Sequence, residues 1–112
     1  ADRGHTRAQY NVAFLFAHAP APIASPKTAV RYYAMAARTG HVDAMANLGT
    51  MFGNGMGVPI NPVEAYVWWT LALEAGHVQA GVNRDKVATQ FTQAQRTAST
   101  VRLNALRVRM KQ

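Results

Sequence analysis

Apolar side chains recur at three- and four-residue intervals through most of the chain, which is the spacing of amphipathic helices. In the centre of the sequence they fall on one face of a first helix, at Ala44, Leu48, Met51 and Phe52. The glycine-rich segment 53–57 ends this helix, because glycine takes the positive φ values found at helix ends. A second helix follows, with Asn61 as its predicted N-cap and Pro62 at its first position. No alternation of period two persists long enough to predict a strand, so the chain is predicted to be all-α.

This pair of helices is repeated at an interval of 36 residues. Each copy begins with a Gly-His pair, at Gly4-His5, Gly40-His41 and Gly76-His77. The same interval aligns Ser25-Pro26 with the cap and proline Asn61-Pro62. A period of this length is typical of two-helix solenoids, in which each unit packs on its neighbours. The sequence therefore predicts successive helix–turn–helix units stacked on one another.

The third copy departs from the pattern after its first helix. It has no glycine-rich turn, and Asn104-Ala105 stands where the other copies carry two aromatic residues. A new helix is predicted to begin after Thr92, where Gln95 completes a weak capping box. A terminal unit must present a polar outer side, so this helix is interpreted as the cap of the solenoid.

These landmarks divide the chain into parts of one predicted domain, 1–112. The units lie at 4–39 and 40–75, a partial unit at 76–92, and the C-terminal helix at 93–111. The segment Ala1–His5 aligns with Leu73–His77, the end of a second helix. We therefore expect the chain to be a fragment of a longer array.

The central unit resembles a known repeat. The similarity lies in Ala44–Gly49, Met51–Pro59, Glu64–Trp69 and Ala75–His77, which closely resemble the Sel-one-like repeat, a relative of the tetratricopeptide repeat. It is strong over 40–76, moderate over 4–39, where Ala17–Ala21 replaces the glycine turn, and partial from 77 to about 98. The resemblance implies a right-handed α/α superhelix of about two and a half units that binds protein partners. It also implies a bacterial protein of the envelope, periplasm or exterior, although a cytoplasmic location is not excluded.

A polar stripe beside the apolar face of each first helix is the candidate binding surface. In the middle unit it consists of Asp43, Asn47, Thr50 and Asn54; shifted by one period it gives Arg7, Asn11, Phe14 and His18, and in the other direction Gln79, Asn83, Lys86 and Gln90. In tetratricopeptide-like superhelices the first helices line the concave side, so the resemblance implies that the stripes form a groove. Amide side chains and flanking cations suit an extended peptide with a carboxylate or acidic side chain. The alternative is that the three asparagines hydrogen-bond within the repeat.

The net charge of +7 raises a second class of partner, because basic proteins often bind nucleic acid or anionic surfaces. Residues 86–112 hold six of the twelve basic side chains and no acidic one. The C-terminal helix carries a basic patch of Arg96, Arg102, Arg107, Arg109 and Lys111. Its apolar stripe consists of Ala94, Ala98, Val101, Ala105 and Val108, and a second apolar set is formed by Leu103, Leu106 and Met110. Nucleic-acid or anionic-surface binding and self-association through this helix are therefore alternatives to peptide binding.

The aromatic pairs Tyr32-Tyr33 and Trp68-Trp69 have two possible roles. They could be platforms on which nucleic-acid bases stack. Their helical spacing from neighbouring alanines favours core packing for at least one ring of each pair.

The remaining chemistry argues against an enzyme. The chain has no cysteine and only two serines, and no two of its five acidic residues share a helix face. Segment 53–57 lacks the Lys-Ser/Thr of a phosphate loop. Histidines at equivalent positions of successive units lie roughly 8–10 Å or more apart, whereas each ligand of a zinc ion lies about 2 Å from it. The sequence therefore predicts a protein without catalytic residues, metal or cofactor, and without a membrane span.

Overall fold

The computed structural model describes residues 3–18 and 25–111 and contains six helices over these residues. They are α1 (Arg3–His18), α2 (Pro26–Arg38), α3 (Val42–Asn54), α4 (Pro62–Glu74), α5 (Val78–Ala88) and α6 (Gln93–Met110). No strand occurs among the described residues, which agrees with the all-α prediction. The segment predicted to replace the glycine turn of the first unit lies largely outside them. None of the six helices combines the length and apolar character needed to cross a membrane.

The predicted caps begin the second helix of each unit. The Ser25 hydroxyl accepts a hydrogen bond from the Thr28 backbone N–H at 3.4 Å, and the Asn61 Oδ1 accepts one from the Glu64 N–H at 3.1 Å. A proline opens both helices. The capping box of α6 is also present, since Thr92 and Gln95 bond reciprocally. These local predictions are confirmed.

The second and third Gly-His pairs each join two helices, whereas Gly4 and His5 lie within α1. Gly40 and Gly76 have φ values of 98° and 104°, which favour glycine. The next residue is the N-cap of the following helix: His41 Nδ1 accepts from the Ala44 N–H at 3.2 Å, and His77 Nδ1 accepts from the Ala80 N–H at 3.1 Å. The pair thus turns the chain and starts the next unit.

The helices stack as an α/α solenoid. Within each of the first two units, α1 packs on α2 and α3 on α4; between units, α2 packs on α3 and α4 on α5. Fully buried alanines line these contacts and let the helices approach closely. Trp68, Tyr33 and Leu48 are the largest fully buried side chains of the two units. The core therefore runs along the stack between first and second helices.

The last helix leaves this pattern. Only four residues, 89–92, join α5 to α6, whereas seven join α3 to α4. α6 hardly contacts α5 and packs on α4 instead. Leu106 is buried there, and the Arg102 guanidinium donates two hydrogen bonds to the Glu64 carboxylate, at 2.9 and 3.1 Å. The opposite apolar stripe of α6 is exposed, with Val101 at 64% and Val108 at 60%.

Candidate functional site

The predicted polar stripes lie at or near the surface of the three first helices. The following members are exposed: Arg7, Asn11, Phe14, His18, Asp43, Asn54, Gln79, Lys86 and Gln90. Asn47, Thr50 and Asn83 are half-buried. Half-buried polar side chains near the surface are well placed to bind a ligand, because part of their desolvation has already occurred on folding.

Two cavities connect these helices. The larger, of about 400 Å³, lies between α3 and α5 and is lined by Thr50, Asn54, Trp69, Asn83, Lys86, Val87 and Gln90. The smaller, of about 80 Å³, lies between α1 and α3 and is lined by Ala17, His18, Tyr33, Asn47, Thr50, Met51 and Met56. Because Thr50 lines both, the cavities adjoin. We call this pair of cavities the first-helix groove.

Some residues of the predicted polar stripes line the first-helix groove, and others lie outside it. Its stripe members are His18, Asn47, Thr50, Asn54, Asn83, Lys86 and Gln90. The members outside the groove are Arg7, Asn11, Phe14, Asp43 and Gln79. Three of these, Arg7, Asp43 and Gln79, occupy one position of the repeat, near the start of each first helix. The cavities therefore lie toward the carboxyl-terminal halves of the first helices.

Sequence reasoning missed two aromatic residues of the groove. Tyr33 lines the smaller cavity and Trp69 the larger, although both belong to second helices. They lie one period of 36 residues apart in the sequence. This equivalence could have indicated the two residues from the sequence, because side chains at equivalent repeat positions have similar surroundings in successive units.

Two asparagines of the stripes, Asn47 and Asn83, form hydrogen bonds with side chains of the first helices. Asn47 Nδ2 donates to the Tyr10 hydroxyl at 3.5 Å, a long bond between α3 and α1. Asn83 Oδ1 accepts from Gln79 Nε2 at 3.2 Å along α5. Each amide retains hydrogen-bonding capacity beyond the contact named here, since an amide offers two donors and two acceptor sites.

Tyr33 is the most unusual polar residue of the groove. It is only 1% exposed, and its hydroxyl oxygen is buried. Burial, together with the charge that Tyr10 would carry when ionised, raises the pKa of Tyr33 from 10.0 to about 12, and hydrogen bonding with the Asn47 side chain opposes part of this shift.

This pKa predicts an alkaline loss of stability that Tyr33→Phe removes. Unfolded Tyr33 releases its proton near pH 10 and folded Tyr33 near pH 12, so the native chain holds more protons in between. Stability therefore falls as pH rises through this interval, by about 1.4 kcal/mol at pH 11. Urea unfolding of both chains at pH 8 and pH 11 measures the effect. Equal losses in the wild type and the Tyr33→Phe chain would contradict it.

The basic patch of α6 is divided in the structure. Arg102 pairs with Glu64, and Arg107 pairs with Glu74. Arg96, Arg109 and Lys111 are exposed, and Arg96 borders a separate cavity of about 280 Å³ with Tyr66 and Phe91. Two of the five basic residues thus form ion pairs between α6 and α4. Nucleic-acid binding and self-association through this helix stay predictions.

Comparisons with known proteins identify the repeats. Two copies of the Sel1 repeat family model match the chain, at residues 6–41 and 42–77. A search of curated proteins finds no match. Among solved structures, the chain is similar to a protective antigen present in uropathogenic Escherichia coli strains and displaying an SLR fold, with a TM-score of 0.85 and 21% identity. The match covers 93% of this chain and 22% of the antigen chain, so this chain spans about a fifth of that protein.

Proposed function

Because the chain belongs to the Sel1 repeat family, whose members are generally protein–protein interaction scaffolds and typically non-enzymatic, we propose that it binds an extended segment of a protein partner in the first-helix groove. The observation that carries the proposal is the pair of adjoining cavities. Polar side chains from the same face of α1, α3 and α5 line them, and Thr50 lines both. One segment laid across the three helices would contact all of these side chains.

The chemistry of the groove suits a peptide backbone. The amides of Asn47, Asn54 and Asn83 each offer donors and acceptors, which an extended main chain can pair in both directions. The indole ring of Trp69 and the side chain of Val87 supply apolar surface in the larger cavity. A segment that alternates exposed and inserted side chains matches this arrangement.

The charge of Lys86 favours an acidic ligand in the first-helix groove. Lys86 is exposed and lines the larger cavity, and the structure gives it no acidic partner among the described residues. The carboxylates of Glu64 and Glu74, both on α4, form ion pairs with arginines of α6. An acidic side chain or a free carboxylate of the partner would therefore gain a charge-assisted hydrogen bond at Lys86.

The double replacement Asn47→Ala with Asn83→Ala tests the proposal. Random dodecapeptides displayed on phage are selected on the chain, and the best binder is synthesised with a fluorescent label. We expect its Kd, measured by anisotropy, to rise at least tenfold in the double variant, because about 1 kcal/mol is lost with each hydrogen bond. The urea midpoint should change little, since both side chains are only half-buried.

Asn104→Ala is the matched control. Asn104 is an exposed asparagine on α6, outside the groove, and its replacement should leave the Kd unchanged. A selected peptide that binds the double variant as tightly as the wild type would place the binding surface elsewhere and refute the proposal.

A further inference from the structure

A further cavity lies where the last helix leaves the repeat pattern, between α4, the end of α5 and the first half of α6. Its volume is about 280 Å³, and it is lined by Tyr66, Ala88, Phe91, Arg96, Ser99 and Thr100. We call it the α6 cavity. It shares no lining residue with the first-helix groove, so it is a separate candidate site.

The repeat indicates which kind of side chain the α6 cavity lacks. Ala88 occupies the position that is phenylalanine in both earlier units, at Phe16 and Phe52. Those two rings are partly buried and pack against the hydrophobic core. The third unit has a methyl group where the others have a benzyl group, and Phe91, from the connection after α5, lines the cavity without filling it. An aromatic ring from outside the chain could therefore pack beside Ala88.

The size and the aromatic walls of the α6 cavity suit such a ring. The ring centroids of Tyr66 and Phe91 lie 5.4 Å apart, and the ring planes are tilted by 47°. Tilted rings of this kind offer both faces and edges for contact with a further ring. An apolar cavity of about 150 Å³ holds benzene. The volume of about 280 Å³ thus accommodates one ring and a short polar chain.

The hydroxyl groups of the α6 cavity restrict the polar part of a ligand. Ser99 Oγ donates to the Gln95 carbonyl at 2.9 Å, and Thr100 Oγ1 donates to the Arg96 carbonyl at 3.2 Å. Because both protons are used within α6, these hydroxyls offer a ligand acceptor sites only. They cannot pair with the several acceptors on the edge of a nucleobase. A hydrocarbon ring makes no such demand and fits these walls better.

Arg96 supplies the charge that the α6 cavity presents to a ligand. It is exposed, and it has no ion pair among the residues that the structure describes. The carboxylates of α4 and α5, at Glu64, Glu74 and Asp85, are paired with other arginines. A carboxylate brought in by a ligand can therefore form a charge-assisted hydrogen bond with the guanidinium group of Arg96.

From these observations we propose that the α6 cavity binds a phenyl ring joined to a carboxylate by a short chain, with the ring against Ala88 and Phe91 and the carboxylate at Arg96. Two sources supply this chemistry: a free phenylalkanoic acid, and a C-terminal phenylalanine of a partner protein. In both, two carbon atoms separate the ring from the carboxylate. The proposal does not depend on peptide binding in the first-helix groove.

Titration with 3-phenylpropionate tests the proposal on the complete chain. We expect a Kd of about 4 mM or lower, which a ligand of this size reaches at ordinary efficiency, with the largest amide chemical-shift changes in residues 88–100. Propionate, which lacks the ring, should bind at least tenfold more weakly, and uncharged 3-phenylpropanamide about threefold more weakly. Equal affinities for propionate and 3-phenylpropionate, or tighter binding of adenosine monophosphate, would overturn the proposal.

Ala88→Phe restores the residue of the earlier units and should fill the α6 cavity. We expect it to weaken 3-phenylpropionate binding at least tenfold without lowering the urea midpoint, because the added ring enters a space that is already present. Unchanged affinity in this variant would overturn the proposal.

Arg96→Gln tests the charge without altering the walls. It should weaken 3-phenylpropionate about threefold and leave 3-phenylpropanamide unaffected. Arg96 is exposed, so this variant keeps the test available if Ala88→Phe fails to fold. Arg109→Gln is the matched control, since Arg109 is an exposed arginine of the same helix outside the cavity. Equal effects of the two substitutions would show attraction by net charge alone and overturn the role of Arg96.

Two peptides distinguish the sources of the ligand. Gly-Ser-Gly-Ser-Phe with a free C-terminus is compared with the same peptide amidated. Tighter binding of the free peptide than of 3-phenylpropionate identifies a C-terminal phenylalanine, whereas binding of 3-phenylpropionate alone identifies a small molecule. The absence of saturable binding by all of them would overturn the proposal. The Asn47→Ala, Asn83→Ala double replacement should leave these affinities unchanged, so failure of the groove and failure of this site are distinguishable.

Discussion

Replacing Trp68 with alanine is expected to lower the free energy of unfolding by about 3–5 kcal/mol. Trp68 is 2% exposed and is the largest of the fully buried side chains. It lies on α4, which packs against α3, α5 and α6. A loss of this size is a large part of the roughly 5–15 kcal/mol available to a domain. Urea denaturation followed by circular dichroism at 222 nm measures it.

Tyr32→Ala is a control supplied by the repeat itself. Tyr32 occupies the same position one period earlier but is only half-buried. Its truncation should cost less than half as much, because the cost grows with the volume of the cavity left behind. Trp68→Phe should also fall between the wild type and Trp68→Ala. Equal losses at Tyr32 and Trp68 would show that repeat position, rather than burial, decides the contribution.

The fold was predictable because its signals are local. A capping side chain and a proline act within one helical turn, so Ser25-Pro26 and Asn61-Pro62 mark helix starts without knowledge of the tertiary structure. The prediction that at least one ring of each aromatic pair packs in the core is confirmed, since Tyr33, Trp68 and Trp69 are buried. The interval of 36 residues then fixed how one unit follows the next.

The features that sequence reasoning missed depend on how helices approach one another. The packing of α6 on α4 involves the buried Leu106 and the Arg102–Glu64 pair, whose members lie 38 residues apart in the sequence. The sequence places His41 and His77 at the start of a repeat copy, and their capping role was missed because histidine is not among the preferred N-cap residues.

The candidate groove was predictable in part, because the spacing of residues within one helix is a local signal. Helical spacing identifies which face of a first helix is polar, and it brought Asn47, Thr50 and Asn83 into one set. It does not tell how far along that face a cavity extends. Arg7 and Asp43 have the correct spacing but lie outside both cavities, since the groove occupies the other halves of the helices. Tyr33 enters from a second helix, which no pattern within one helix reveals.

Gly57→Ala is the second substitution with a large expected effect, a loss of about 2–5 kcal/mol in the free energy of unfolding. Gly57 belongs to the turn of the second unit and has a φ of 77°, which L side chains rarely adopt. A Cβ atom there would lie 2.5 Å from the carbonyl carbon and oxygen of Pro26 and 2.7 Å from the nitrogen of Lys27. These are backbone atoms at the start of α2, so no side-chain rotation relieves the contact. Urea unfolding at neutral pH measures the loss.

Gly76→Ala separates the cost of backbone strain from the cost of the close contact with α2. Gly76 also has a positive φ, 104°, but a Cβ atom there would meet nothing within 4 Å. Its replacement should therefore cost only the backbone strain, about 1–2 kcal/mol. The excess loss at Gly57 would measure the contact between the turn of one unit and the second helix of the unit before it. Because that contact joins successive units, the glycine is required for stacking as well as for turning, and equal losses at Gly57 and Gly76 would refute the stacking role.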